Sequence, residues 1–296
     1  MRVLLVLAAL GCAASASAQR LPGDTLGTDD GWFSRAIVRL SGSQTAFANW
    51  QEGGASALAV ALAGEADFAR VNGRLRQAHE FRASFGLLQQ DTLAFRKADD
   101  RFRYGFALEH ETGRALRPSV RVTAQSQFAP GFDYNPSPAA YPTLPVVPGE
   151  RLRVSSFAAP AVLTQSVGAT VRPGGDFVGR AGVGLKQTVV AVERLRPVHG
   201  NAPGQLVRLE AGLDAEAALD RRIAQGVRLR SRLAAFQAFT QVAQAAPDLV
   251  WENTLALRVN GLLSVNLDTV ALYDRDVSAR VQLREVLSVG LTMTLL

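Results

Sequence analysis

The stretch that decides the fold is S-V-G-L-T-M-T-L-L, residues 288–296. Ser288, Gly290, Thr292 and Thr294 fall on one side of an extended chain, and Val289, Leu291, Met293 and Leu295 on the other. Leu287 extends the apolar series upstream. Strict period-two alternation marks a strand with one apolar and one polar face. Terminal residues commonly fray. A strand that runs into them is expected to have a use, as the last stave of a cylinder closed against the first.

The same alternation recurs upstream in about twelve segments. They are expected near 37–43, 55–68, 74–88, 101–109, 117–128, 163–171, 180–189, 207–219, 227–236, 249–259, 262–272 and 280–295. Short connections are expected at Asn72-Gly73, Thr112-Gly113-Arg114, Arg172-Pro173-Gly174-Gly175, Asp220-Arg221 and Asn260-Gly261. Longer ones fall between them, at 44–54, 89–99, 129–151, 195–203, 237–247 and 274–276. Short and long connections thus alternate, and every short one lies at the same end. This predicts an all-β, transmembrane, antiparallel up-and-down β-barrel of about 12 strands, with tight periplasmic turns, longer outer loops and both termini inside. Lipid cannot satisfy unpaired amides, so a membrane sheet must close. Phe85, Phe128, Trp251 and Tyr273 at the loop end and Phe33, Phe68 and Phe177 at the other are expected as interfacial girdles.

The totals agree with export. Arg2, the apolar run 3–10 and Ala16-Ser17-Ala18 read as a signal peptide over residues 1–18. Gly11-Cys12 is the alternative, a lipoprotein attachment site. Cleavage after Ala18 removes the only cysteine and leaves a periplasmic lead-in, 19–33, before the barrel, 34–296. No later run reaches the roughly 18 apolar residues of a membrane helix. The net charge is +6, with Lys97 and Lys186 the only lysines. The arginines recur at every second residue of strands instead of forming a patch, which argues against nucleic acid.

Several blocks carry a family resemblance. They are Thr45-x-Phe47-Ala48-Asn49-Trp50-x-x-Gly53-Gly54, Lys97-Ala98-Asp99-Asp100 and Phe128-Ala129-Pro130-Gly131-Phe132-Asp133. Trp251-Glu252-Asn253, Tyr273-Asp274-Arg275-Asp276 and Gln282-Leu283-Arg284-Glu285 follow in order. The set resembles an outer-membrane family known as domain of unknown function 3078. That resemblance implies a barrel in a Gram-negative outer membrane and no assigned activity. The series Ser288, Gly290, Met293, Leu295 also resembles the C-terminal signal read by the barrel-assembly machinery, without its usual aromatics and with Leu296 extra.

With apolar faces toward lipid, the lumen candidates are Arg39, Arg74, Arg76, Arg82, Arg101, Arg103, Arg121, Arg180, Lys186, Arg208, Arg228, Arg230, Arg232 and Arg258. Opposite them stand Glu80, Glu109, Glu210, Asp214, Glu216, Glu252 and Asp268, so bases outnumber acids about two to one. Twelve strands about 4.8 Å apart and tilted ~40° give a diameter of roughly 24 Å, and inward arginines leave an opening of about 10 Å or none. Two readings stay open: a narrow channel for small anionic solutes, or a salt-bridged, plugged barrel that serves structure or surface interaction. Outer-loop candidates are Asn49 and Trp50, a rim cap or sugar platform, with Phe132 and Tyr134 in a loop holding six of the thirteen prolines. A rim hydrolase would need His199 near Asp99, Asp100, Asp133 or Asp276, and His79 and His110 face lipid by parity. No metal site, cofactor or catalytic set is expected. Glu285 falls on the lipid face when counted back from Leu295, which predicts either a bulge near Val286 turning it inward or a place at the outer rim.

Overall fold

The computed structural model describes residues 30–45, 56–241, 246–275 and 278–295. The signal peptide and most of the lead-in, with Phe47, Asn49, Trp50 and Asp276, lie outside the described residues. The strands are β1 (Gly31–Thr45), β2 (Ala57–Asn72), β3 (Leu75–Gln90), β4 (Arg96–His110), β5 (Leu116–Ser126), β6 (Gly131–Asp133) and β7 (Leu152–Ser155). They continue with β8 (Ala161–Gly174), β9 (Phe177–Val189), β10 (Val207–Ala224), β11 (Val227–Ala238), β12 (Asp248–Arg258), β13 (Leu263–Asp274) and β14 (Ser278–Thr294). Twelve of them close into one antiparallel barrel, while β6 and β7 form a separate hairpin. No described helix is long and apolar enough to cross a membrane, which says nothing of strands.

The closing strand pairs as its alternation predicts: Ile37↔Thr294, Arg39↔Thr292 and Ser41↔Gly290 join β1 to β14. The polar series of β14 thereby shares the lumen face with Arg39. A Cβ on Gly290 would lie 2.5 Å from the Leu40 carbonyl oxygen, so the two backbones approach too closely there for a side chain.

Burial is inverted relative to a water-soluble domain. Among the described residues, thirteen polar or charged side chains are buried against eight apolar ones, and five of those eight sit outside the barrel wall in the loop cluster described below. Leu62, Val167, Leu209, Leu233, Leu283 and Leu287 stand outward and exposed. Apolar outside and polar inside is the arrangement that hydrocarbon selects, and the chain reads as membrane-spanning.

Several local expectations are corrected. β10 does not turn at Asp220-Arg221; it continues to Ala224, and Gly226, at φ +73°, makes the turn. Asp220 keeps the inward parity of Glu216, so its polarity belongs to the lumen and is no turn signal. The Asn260-Gly261 connection is four residues long, held by Asn260 Oδ1 accepting from the Leu262 and Leu263 amides. Two outer connections are short, 91–95 and 275–277, so the alternation of turn and loop is incomplete. Phe33 shares the inward face of Arg35, and it is Trp32 that points outward, stacked under Arg70. Glu285 is not turned inward. β13 and β14 run in unbroken register through Thr269↔Glu285, and the irregularity falls between Leu272 and Asp274. Regular pleating therefore leaves the carboxylate on the exposed outer side, between Leu283 and Leu287.

Candidate functional site

The lumen is crossed at mid-depth by a continuous ion-pair network. Its centre is Glu252 of β12. Arg101 Nη1 donates to Glu252 Oε1 at 2.6 Å and Arg103 Nη1 to Oε2 at 3.2 Å, both from β4. β4 and β12 are six strands apart whichever way the ring is followed, so these pairs span the barrel's diameter. Arg232 on the neighbouring β11 bridges Glu252 at 3.1 Å and Glu216 of β10 at 2.5 Å. Glu216 also accepts from Arg121 of β5.

A second centre is Glu65 of β2. Arg230 of β11 reaches across to it at 2.7 Å, and Arg39 of β1 bonds it from beside. Arg82 ties the two centres together, lying 3.7 Å from Glu65, 2.7 Å from Asp67 and 3.2 Å from Glu80. Glu80 in turn lies 3.6 Å from Arg103. Arg35 adds a bond to Asp67 at 3.0 Å. Alternation explains the convergence: each residue is one of an i, i+2 series whose intervening neighbours face lipid.

Smaller clusters flank this layer. Toward the turns, Glu109 binds Arg172 at 2.8 Å and Arg76 at 3.7 Å, and Arg228 binds Asp220. Toward the loops, Lys186 bonds Asp248 at 2.5 Å and Glu210 at 3.0 Å, with Arg208 3.4 Å from Glu210. Arg284 reaches Asp99, and Asp214 holds Arg180 and Ser166 at 2.7 Å each. A cavity of about 510 Å³ within the lumen is lined by twelve arginines and ten acids.

Most of the arginines read as inward do meet here. Arg74 instead lies in the β2–β3 turn, and Arg258 is exposed at the turn end of β12. The expected two-to-one excess of bases does not hold around the cavity. Glu65, Asp67, Asp99 and Asp220 line it and were missing from the acids expected to face the lumen. The pair Glu65-x-Asp67 in an alanine-rich strand was the readable signal for two of them. Oppositely charged side chains that meet in a confined polar interior share bonds, so the excess left for a passing anion is small.

The outer end carries a folded cap. Loop 127–160 contributes the β6–β7 hairpin, and loop 190–206 contributes two short 3-10 turns. Leu144, Leu152, Ala159, Val190 and Leu195 form their common apolar core. Phe132 lies under Arg151 at 4.3 Å and Tyr134 under Arg96 at 4.1 Å. Tyr141 donates to Asp133 at 3.0 Å; burial, then that carboxylate, push its pKa up to about 12. The loop is rooted by Asp100, which accepts from the Phe128 and Ala129 amides and from Lys97, each at 2.8 Å.

His199 Nε2 donates to the Val154 carbonyl at 3.1 Å, and burial lowers its pKa. Asp99, Asp100 and Asp133 are bonded elsewhere, so none of them completes a hydrolytic pair with it. His79 stands on the outward face, 3.0 Å from the Tyr104 hydroxyl. Among the described residues, no three His, Cys, Asp or Glu side chains group as metal ligands would.

The family described as "Protein of unknown function (DUF3078)" matches residues 43–132. No curated protein matches. Among solved structures, the COG4313 outer membrane channel from Pseudomonas putida F1 is 10% identical over 94% of this chain and 99% of that one, with a TM-score of 0.39. The translocator domain of the autotransporter NalP from Neisseria meningitidis is 10% identical over 88% and 87%, with a TM-score of 0.38. The Pseudomonas putida toluene transporter TodX is 11% identical over 90% and 89%, with a TM-score of 0.32. Likeness this distant has no bearing on what this chain does.

Proposed function

We propose that the protein is an outer-membrane channel for small solutes whose lumen is latched at mid-depth by the network around Glu252. The observation that carries this reading is the pair of bonds from Arg101 and Arg103 to Glu252 across the full diameter. A solute passes only when those bonds exchange. The cavity beside the latch is lined by charged groups of both signs with arginine in slight excess, which favours small polar solutes, anions over cations. Catalysis forms no part of this reading.

Planar-bilayer recording tests it. The wild type is expected to conduct weakly. Glu252→Gln keeps the shape, frees three guanidinium groups from their shared carboxylate, and is expected to raise conductance several-fold with a shift toward anions. Silence from both folded proteins would overturn the channel reading.

A second reading, a non-conducting barrel that presents a surface, is favoured by the folded outer cap with its own apolar core. Photo-cross-linkers at Phe157, exposed on that cap, are expected to trap a partner on intact cells if this reading holds.

A further inference from the structure

Near the turns, the outward face of β11 to β14 is apolar: Val227, Leu257, Val265 and Val289 form one unbroken cross-strand row. The outward row at the turn end of β1 to β4 differs, running Trp32↔Arg70↔Gln77↔Leu108. The Arg70 guanidinium lies over the Trp32 ring at 5.4 Å. Both side chains are exposed, and Arg70 has no ion-pair partner among the described residues. The next outward row, Phe68↔His79↔Phe106, carries a second polar group. There the Gln77 amide nitrogen lies 2.7 Å from His79 Nε2, and His79 Nδ1 lies 3.0 Å from the Tyr104 hydroxyl. An amide nitrogen only donates, so Nε2 accepts and the ring proton sits on Nδ1. Nδ1–H then donates to the Tyr104 oxygen, and the phenolic proton is left without an acceptor among the described residues.

These groups are spaced as the polar part of a phospholipid is. Only the Asn72-Gly73 turn, with exposed Arg74, lies beyond the Arg70 row, so that row ends the wall. Tryptophan and arginine together at such a margin suit the boundary between bilayer and water. Two residues along a strand tilted ~40° shift a side chain by about 5 Å in depth. The headgroup zone on each side of a bilayer is about 5–8 Å deep. Arg70 thus stands at the level of phosphates, and the Tyr104 hydroxyl, held beside His79, at the level of acyl esters. A phosphodiester supplies the anion for Arg70, and an ester carbonyl supplies the acceptor for the unspent phenolic proton. We propose that the outward face of β1–β4 at its turn end binds one glycerophospholipid, with Arg70 on the phosphodiester and Tyr104 donating to an ester carbonyl. The half-exposed ring of Phe81, packed on Tyr104 at 4.9 Å, lies where the first acyl carbons follow. The site does not depend on whether the lumen conducts.

The test is native mass spectrometry of the full barrel in detergent, titrated with dioleoyl phosphatidylglycerol, its ether-linked analogue, or dioleoylglycerol, which lacks the phosphate. The wild type is expected to bind one phosphatidylglycerol roughly tenfold more tightly than dioleoylglycerol, and Arg70→Gln to erase most of that preference. Arg221→Gln is the control, because Arg221 is also outward near the turns but has Asp176 as partner at 3.7 Å. It is expected to leave the preference unchanged. The ester lipid is expected to outbind the ether lipid about threefold on the wild type and equally on Tyr104→Phe. Equal binding of phosphatidylglycerol and dioleoylglycerol by the wild type would overturn the proposal. So would an Arg221→Gln loss as large as that of Arg70→Gln, or an ester preference that survives in Tyr104→Phe. Displacement of the lipid by an equal concentration of inorganic phosphate would reveal a free-anion site and overturn it as well.

Discussion

At Gly290 a single hydrogen atom in place of a side chain lets the barrel close. Its series with Ser288, Met293 and Leu295 was readable as a signal for assembly, yet the reason for glycine lies in the seam. Alanine would push a methyl against the Leu40 carbonyl and Ser41. Gly290→Ala is therefore expected to destabilise the barrel by about 1–3 kcal/mol, the usual cost of overpacking a rigid contact, seen as a lower urea midpoint. His199 offers a residue-scale prediction in the cap. Burial holds its pKa below the ordinary 6.5, so the proton is bound more readily when the loop is open. Stability from the buried neutral ring is then fully present above that ordinary value and is lost as pH falls below it. Amide protection around residues 195–201, corrected for intrinsic rates, is expected to fall by at most tenfold per pH unit as pH drops from 7 toward 5. His199→Gln is expected to remove that dependence.

Among elements, strands and loops differ in how much they reveal. A barrel strand must alternate because lipid and lumen alternate, so β3, β9, β11 and β13 were legible to within a few residues. Loop 127–160 has no such constraint. Its seven prolines predict stiffness but not that Leu144 and Leu152 would pack with Leu195 from another loop. Non-local packing of that kind leaves no period in the sequence. Asp99 and Asp100 show the boundary case: one read as the end of a loop and the other as lying just before the strand, both lie in β4, where parity sends one to Arg284 and the other to the root of the cap. Asp100→Ala strips two amides and Lys97 of their shared acceptor. Leaving buried donors unpaired costs about 1–3 kcal/mol, and the loss is expected locally. Limited proteolysis within 129–160 should accelerate while the barrel's urea midpoint moves little; an unchanged cleavage rate would detach the cap from this anchor.

For the molecule as a whole, the interior is a charged core, and its stability should follow the rules of buried ion pairs rather than of packed methylenes. Parity placed the arginines inward but said nothing about their partners, because which strand lies across the lumen depends on closure, not on neighbours in sequence. Arg230 meets Glu65 only because β11 and β2 face each other across the ring. Glu65 therefore answers to four arginines at once: Arg230, Arg39, Arg82 and Arg35. Glu65→Gln leaves all four in a confined space with one carboxylate fewer, and removing one partner from a buried network typically costs about 3–5 kcal/mol. Removing a cation as well relieves that imbalance. The double variant Glu65→Gln, Arg39→Gln is expected to recover part of the loss, with the two effects coupled by about 1–3 kcal/mol rather than additive. Urea unfolding in lipid vesicles, following the loss of strand signal for both single variants and the double, measures that coupling. Strict additivity would mean that the arginines act separately, and the latch across the lumen would then have no mechanical unity to open or close.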